Sequence, residues 1–127
     1  MVELPEVRRV ALALPRATEN LVREYTKFRV GRIVFASVSP DEQRLGVGFD
    51  RRLREAMVQA EPDKFLLPGR GDLRYNWIVV RMPALDRVEL AELLLEAWQL
   101  VVSARTAHDF LTGLPSGWTR SVYEHDQ

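Results

Sequence analysis

Lys27-Phe28-Arg29-Val30-Gly31-Arg32-Ile33-Val34-Phe35-Ala36 decides the fold. Its residues alternate in the strand period on both sides of a Gly-Arg turn, which predicts a β-hairpin. In the first arm Lys27 and Arg29 point one way while Phe28 and Val30 point the other. The ten residues therefore set a sheet with charge on one face and core on the other.

Elements of the same kind flank the hairpin. Upstream, Leu4, Val7, Val10, Ala11 and Leu14 recur at helical spacing, with Pro5 suited to a first helical turn and Pro15 to a stop, so a helix is predicted over residues 5–14. A short strand is expected over 20–26. Downstream, Ser39-Pro40-Asp41-Glu42 is a turn signal, and Leu45-Gly46-Val47-Gly48-Phe49 follows with apolar residues on one face and glycines on the other. Two glycines on one strand face imply a close approach, by a neighbouring helix or backbone or by a ligand. No GxGxxG or phosphate-loop pattern follows them.

Asp50 reads as the N-cap of a helix over 51–60 that turns Leu53, Met57 and Ala60 inward. Residues 61–73 read as a loop. Residues 74–82, with Trp77-Ile78-Val79-Val80 at their centre, form the strongest strand signal in the chain, stopped by Pro83. Asp86 and Glu89 make a capping box for a long helix to about Ala104. Its polar residues Glu89, Glu92, Glu96, Gln99 and Ser103 form one narrow stripe, and a helix so apolar elsewhere needs cover on more than one side. Phe110, Leu111, Leu114, Trp118 and Tyr123 in the tail are the expected cover.

Composition narrows the function. The 127 residues contain no cysteine, which removes disulfides, thiolate catalysis and cysteine-held metals. The start of the chain lacks the blocks of a signal peptide and no apolar run approaches a membrane span, so a cytoplasmic location is expected. Eighteen basic and eighteen acidic side chains cancel, whereas nucleic-acid domains commonly carry a basic excess. The balance is local: residues 1–60 hold 11 basic and 8 acidic side chains, and residues 61–127 hold 7 and 10. His108 and His125 have no paired ligand spacing, and the glutamate stripe is the pattern of a solvated helix face, so no metal or cofactor is expected. No hydrolase or kinase motif appears, and no enzymatic activity is expected.

Together the segments resemble the bacterial MmcQ/YjbR family. The resemblance rests on Ala13-Leu14-Pro15 closing the first helix, Phe28-Arg29-Val30-Gly31 leading to Phe35, the strand Trp77-Ile78-Val79-Val80, and Ala97-Trp98-Gln99-Leu100-Val101 in the last helix. It spans residues 4–104. It implies an α+β domain similar to the bacterial frataxin homologues: a mainly antiparallel sheet of about five strands with helices on one face, in the order α-β-β-β-β-α-β-α. Residues 1–105 would form this domain and residues 106–127 an extension packed on it. It also implies DNA binding through a double-wing motif. One segment departs from the family, where many members have a His-x-Asn-Lys-x-x-Trp-like stretch; here it is Asp72-Leu73-Arg74-Tyr75-Asn76-Trp77, without histidine.

On that reading the residues to touch phosphates are Lys27, Arg29, Arg32, Arg51, Arg52, Arg54 and Arg74. Cations at the start of the second helix oppose its dipole, a cost that a bound phosphate would reverse. Tyr75 and Trp77 are candidates to stack a base. DNA, bound weakly and with strong salt dependence, is the expected partner, and a monomer is favoured over a homodimer. The alternative is a small interaction domain that docks a protein or apolar ligand on the last helix and tail.

Overall fold

The computed structural model describes residues 1–124. The first helix, α1 (Leu4–Ala13), opens on a reciprocal capping box between Glu3 and Glu6 with Pro5 in its first turn, and ends just ahead of Pro15. Strands β1 (Ala17–Val22), β2 (Tyr25–Val30), β3 (Ile33–Val38) and β4 (Arg44–Gly48) follow, then α2 (Arg51–Ala60), the two-residue strand β5 (Phe65–Leu66) and β6 (Trp77–Arg81). Helices α3 (Arg87–Gln99), α4 (Ala104–Gly113) and α5 (Trp118–Ser121) close the chain.

The six strands form one antiparallel sheet in the order β1-β2-β3-β4-β6-β5. The expected hairpin is present, with Val30 opposite Ile33 and Gly31 at φ 61 in the turn. The strand expected over 20–26 is instead the end of β1, a turn and the start of β2. That turn places Arg23 and Glu24 at φ 50 and 72, the left-handed pair of a tight hairpin without the usual glycine or asparagine. The sheet has six strands rather than about five because Phe65 and Leu66, inside the expected loop, pair with Val80 and Val79.

Register fixes the two faces. Phe28 lies opposite Ala36, Ala36 opposite Val47 and Val47 opposite Ile78, and all four are buried. A bulge between Phe28 and Arg29 leaves Phe35 without a cross-strand partner, and its side chain is fully buried. Helices α1 and α3 cover this face with Val7, Val10, Ala11, Leu90, Leu94 and Trp98, and the Trp98 indole N–H donates to the Pro15 carbonyl at 2.9 Å. Helix α2 adds Met57 and Val58 to the same core. Its phase differs from expectation: Leu53 is 58% exposed and Arg54 is the buried residue.

The last helix is shorter than its periodicity suggests. It stops at Gln99, and Ser103 accepts from the Thr106 N–H to cap a new helix. The kink turns the tail back over α3. Phe110 meets Trp98 edge-on with centroids 5.1 Å apart, Trp118 meets Phe110 at 6.0 Å, Val122 is buried, and the Tyr123 hydroxyl donates to the Arg87 carbonyl at 2.6 Å. The excess apolar surface of α3 is covered within the chain. Helix α4 runs through the boundary expected near residue 105.

Candidate nucleic-acid interface

With helices on one face, the other face of the sheet carries no helical layer among the described residues. It forms a trough of about 780 Å³ walled by the loop between β5 and β6 and by the end of α3. One cross-strand row crosses its floor: Lys27 opposite Ser37, Ser37 opposite Gly46, Gly46 opposite Val79, and Val79 opposite Leu66.

Trp77 sits over this row. Its Nε1, Cε2 and Cζ2 atoms lie 2.6–2.7 Å from where a Cβ on Gly46 would be, so only glycine leaves room for the indole. The close approach to Gly48 is different: a Cβ there would touch the Ala97 backbone and Leu100 at the end of α3. Both glycines are thus explained by parts of the chain itself, a side chain at one and a helix at the other.

Several polar groups in the trough are unspent. Ser37 is only 9% exposed, yet its hydroxyl has no hydrogen-bond partner among the described residues. Because no buried side-chain oxygen or nitrogen among the described residues is unsatisfied, that hydroxyl must open to the trough it lines. The Trp77 N–H likewise has no partner among the described residues. Lys27 makes no ion pair there; its ammonium lies 5.9 Å from the Tyr25 ring centre. Arg44 and Arg23 reach the same trough from the β3–β4 and β1–β2 ends, and Asp72 is the acid on its wall.

The expected cations divide into those that face the trough and those that do not. Arg29 shares the Lys27 face and donates to Asn20 at 2.8 Å. Arg32 is exposed in the hairpin turn. Arg74 lies over the Tyr75 ring at 4.9 Å and donates to its hydroxyl at 2.8 Å, while Tyr75 is 51% exposed on the rim.

The start of α2 is not an anion seat. Its first N–H groups are already taken, Arg51 N–H by the Asn76 side chain at 3.1 Å and Arg52 N–H by Asp50 at 2.9 Å. The Arg51 guanidinium donates to the Arg74 carbonyl. Arg52 forms an ion pair with Asp50 at 2.8 Å, and the Arg52 guanidinium holds that carboxyl below its ordinary range. Arg54 is withdrawn altogether: it is 8% exposed and donates to the carbonyls of Leu73, Tyr75 and Trp77 at 2.7, 3.1 and 3.0 Å. Its role is to anchor the segment that carries Tyr75 and Trp77.

Ser37 and Tyr25 were not singled out from sequence, and Arg44 was one of the seven cations between Lys27 and Arg54 without being placed on this face. The hairpin register, which sets Ser37 beside Lys27, was the signal that could have found the first of them. No cluster of histidine and acidic residues able to hold a metal occurs among the described residues. His108 is exposed on α4, His125 lies outside the described residues, and Glu89 is occupied by its capping box and Lys64. Among the described residues no helix is long and apolar enough to cross a membrane.

The comparisons agree with this architecture. The crystal structure of Deinococcus radiodurans protein DR2400, a DUF419 domain, superimposes with a TM-score of 0.71 at 23% identity over 91% of each chain. No curated protein matches the chain. The model of the YjbR family matches residues 12–100, which include the whole sheet and all of α3. The chain belongs to the YjbR family.

Proposed function

We propose that this chain is a non-enzymatic, cytoplasmic DNA-binding module, acting as a monomer, whose contact surface is the open face of the sheet. The observation that carries the reading is the trough itself: Lys27, Arg44 and Arg23 converge on a helix-free face around Trp77 without ion-pair partners among the described residues. Cations held in no ion pair can replace the counterions of a phosphate backbone, and of the three Arg44 feels a carboxylate nearby, that of Asp41. Tip insertion of a winged kind is disfavoured, because the turns at one end of the sheet carry Glu24, Asp41 and Glu42, all exposed. The alternative docking surface on α3 is occupied by Phe110, Trp118 and Tyr123.

Fluorescence anisotropy with labelled DNA across a salt series tests the reading. Affinity should fall steeply with salt, and Arg44→Ala should lower the slope of log affinity against log salt by about 0.7–0.9. Arg52→Ala, which lies outside the trough, should leave it unchanged. Absence of binding at about 50 mM salt and high micromolar protein would refute the proposal.

A further inference from the structure

We infer that the nucleic acid taken by this face is single-stranded, with one phosphate seated on the Lys27 ammonium, the Ser37 hydroxyl and the Trp77 indole N–H. This rests on the reading of the open face as a nucleic-acid surface. The three donors occupy neighbouring places in one row: Lys27 pairs with Ser37, Ser37 pairs with Gly46, and the Trp77 Nε1 lies over Gly46. With strands about 4.8 Å apart the row spans roughly 10 Å, within reach of one phosphate given the length of the lysine side chain. None of the three has a hydrogen-bond partner among the described residues. All three are donors, Ser37 through its hydroxyl, and an anion with several acceptor oxygens satisfies them together.

Burial selects the strand form. The Ser37 hydroxyl lines the trough in a residue that is 91% buried, so a ligand must enter to reach it. Duplex phosphates sit on the outside of a stiff rod whose base faces are already stacked on each other. A single strand bends, and its unpaired bases have free faces for an aromatic ring. Along the row and beside it the trough offers apolar surface in Val79, Leu66 and Val34, and one ring in Tyr75. Its volume of about 780 Å³ falls in the range that encloses small ligands, enough for a nucleotide or two. The exposed acids of the two turns, Glu24, Asp41 and Glu42, would repel the flanks of a long straight duplex. Zero formal charge also fits contact with few phosphates.

The test measures anisotropy of labelled oligo-dT and of a duplex of equal length, with wild type, Lys27→Gln, Ser37→Ala and Trp77→Phe, each checked for folding by circular dichroism and thermal melting. Wild type should bind oligo-dT at least about tenfold tighter than the duplex. Lys27→Gln should weaken oligo-dT binding and lower its salt slope by about 0.7. Ser37→Ala and Trp77→Phe, which remove uncharged donors, should each weaken binding by roughly three- to tenfold with the slope unchanged. Binding of the duplex as tightly as of oligo-dT would overturn the single-strand assignment. Folded variants of Lys27 and Ser37 with wild-type affinity and slope would overturn the phosphate seat while leaving DNA binding intact. Failure of both oligonucleotides to bind would overturn the broader reading and this one with it.

Discussion

Arg54→Ala removes the one buried cation among the described residues of α2, which grips the segment leading into β6. Three hydrogen bonds are lost, to the carbonyls of Leu73, Tyr75 and Trp77. A hydrogen bond to a charged group contributes about 1.5–3 kcal/mol when its partner cannot turn to water. Leu73 and Tyr75 are exposed, so water replaces most of what their carbonyls lose, leaving about 0.5 kcal/mol each. Trp77 is half-buried and its carbonyl loses nearly the full amount. Together with the lost packing of the arginine stem, the expected destabilisation is about 2–4 kcal/mol, or a Tm lower by about 10 °C for a domain of this size. Arg52→Ala, two residues away, removes an exposed pair with Asp50 and should leave stability close to that of wild type. Arg54→Lys keeps the charge but lacks the fork that spans three carbonyls, and should recover less than half of the loss. Urea unfolding of the three variants measures the differences. An Arg54→Ala protein within about 0.5 kcal/mol of wild type would refute the anchoring role, and with it the account of what holds Tyr75 and Trp77 in place.

Two other outcomes follow from the tail. Removal of residues 104–127 strips Phe110, Trp118 and Val122 from α3; the shortened chain should melt at least about 10 °C lower and self-associate in sedimentation or light scattering, because the bared apolar patch seeks another partner. Tyr123 makes the alkaline limit of stability: burial raises its phenol above the ordinary value of 10.0, so the protonated form is favoured in the fold. Its contribution is complete below pH 10 and is lost as pH rises beyond that, so the stability difference between wild type and Tyr123→Phe should shrink above pH 10 in alkaline urea titrations.

Much of the fold is legible in the chain because alternation is strict where one face is buried. Phe28, Leu45 and Val47 read as core and are core. The misreadings have local causes. The β1–β2 turn uses Arg23 and Glu24 in left-handed geometry, residues that carry no turn signal. Phe65 and Leu66 are too few to show a strand period. The long helix breaks at a serine cap within an otherwise apolar pattern. The candidate site was half legible. Lys27 and Arg29 followed from alternation, and Gly46 announced a close approach, but the approaching group lies thirty-one residues ahead in Trp77. Arg54 was misplaced because a buried arginine satisfied by backbone carbonyls has the same sequence pattern as a solvated one.

The most direct test of the open-face account is an amide and indole correlation spectrum of the labelled protein titrated with oligo-dT. The account predicts that the Trp77 indole N–H and the backbone amides of Lys27, Ser37, Gly46 and Val79 shift together and saturate with one dissociation constant, while the amides of Arg51 and Arg52 remain still. Shifts confined to the start of α2 or to the hairpin turns, with the Trp77 indole unmoved, would contradict it.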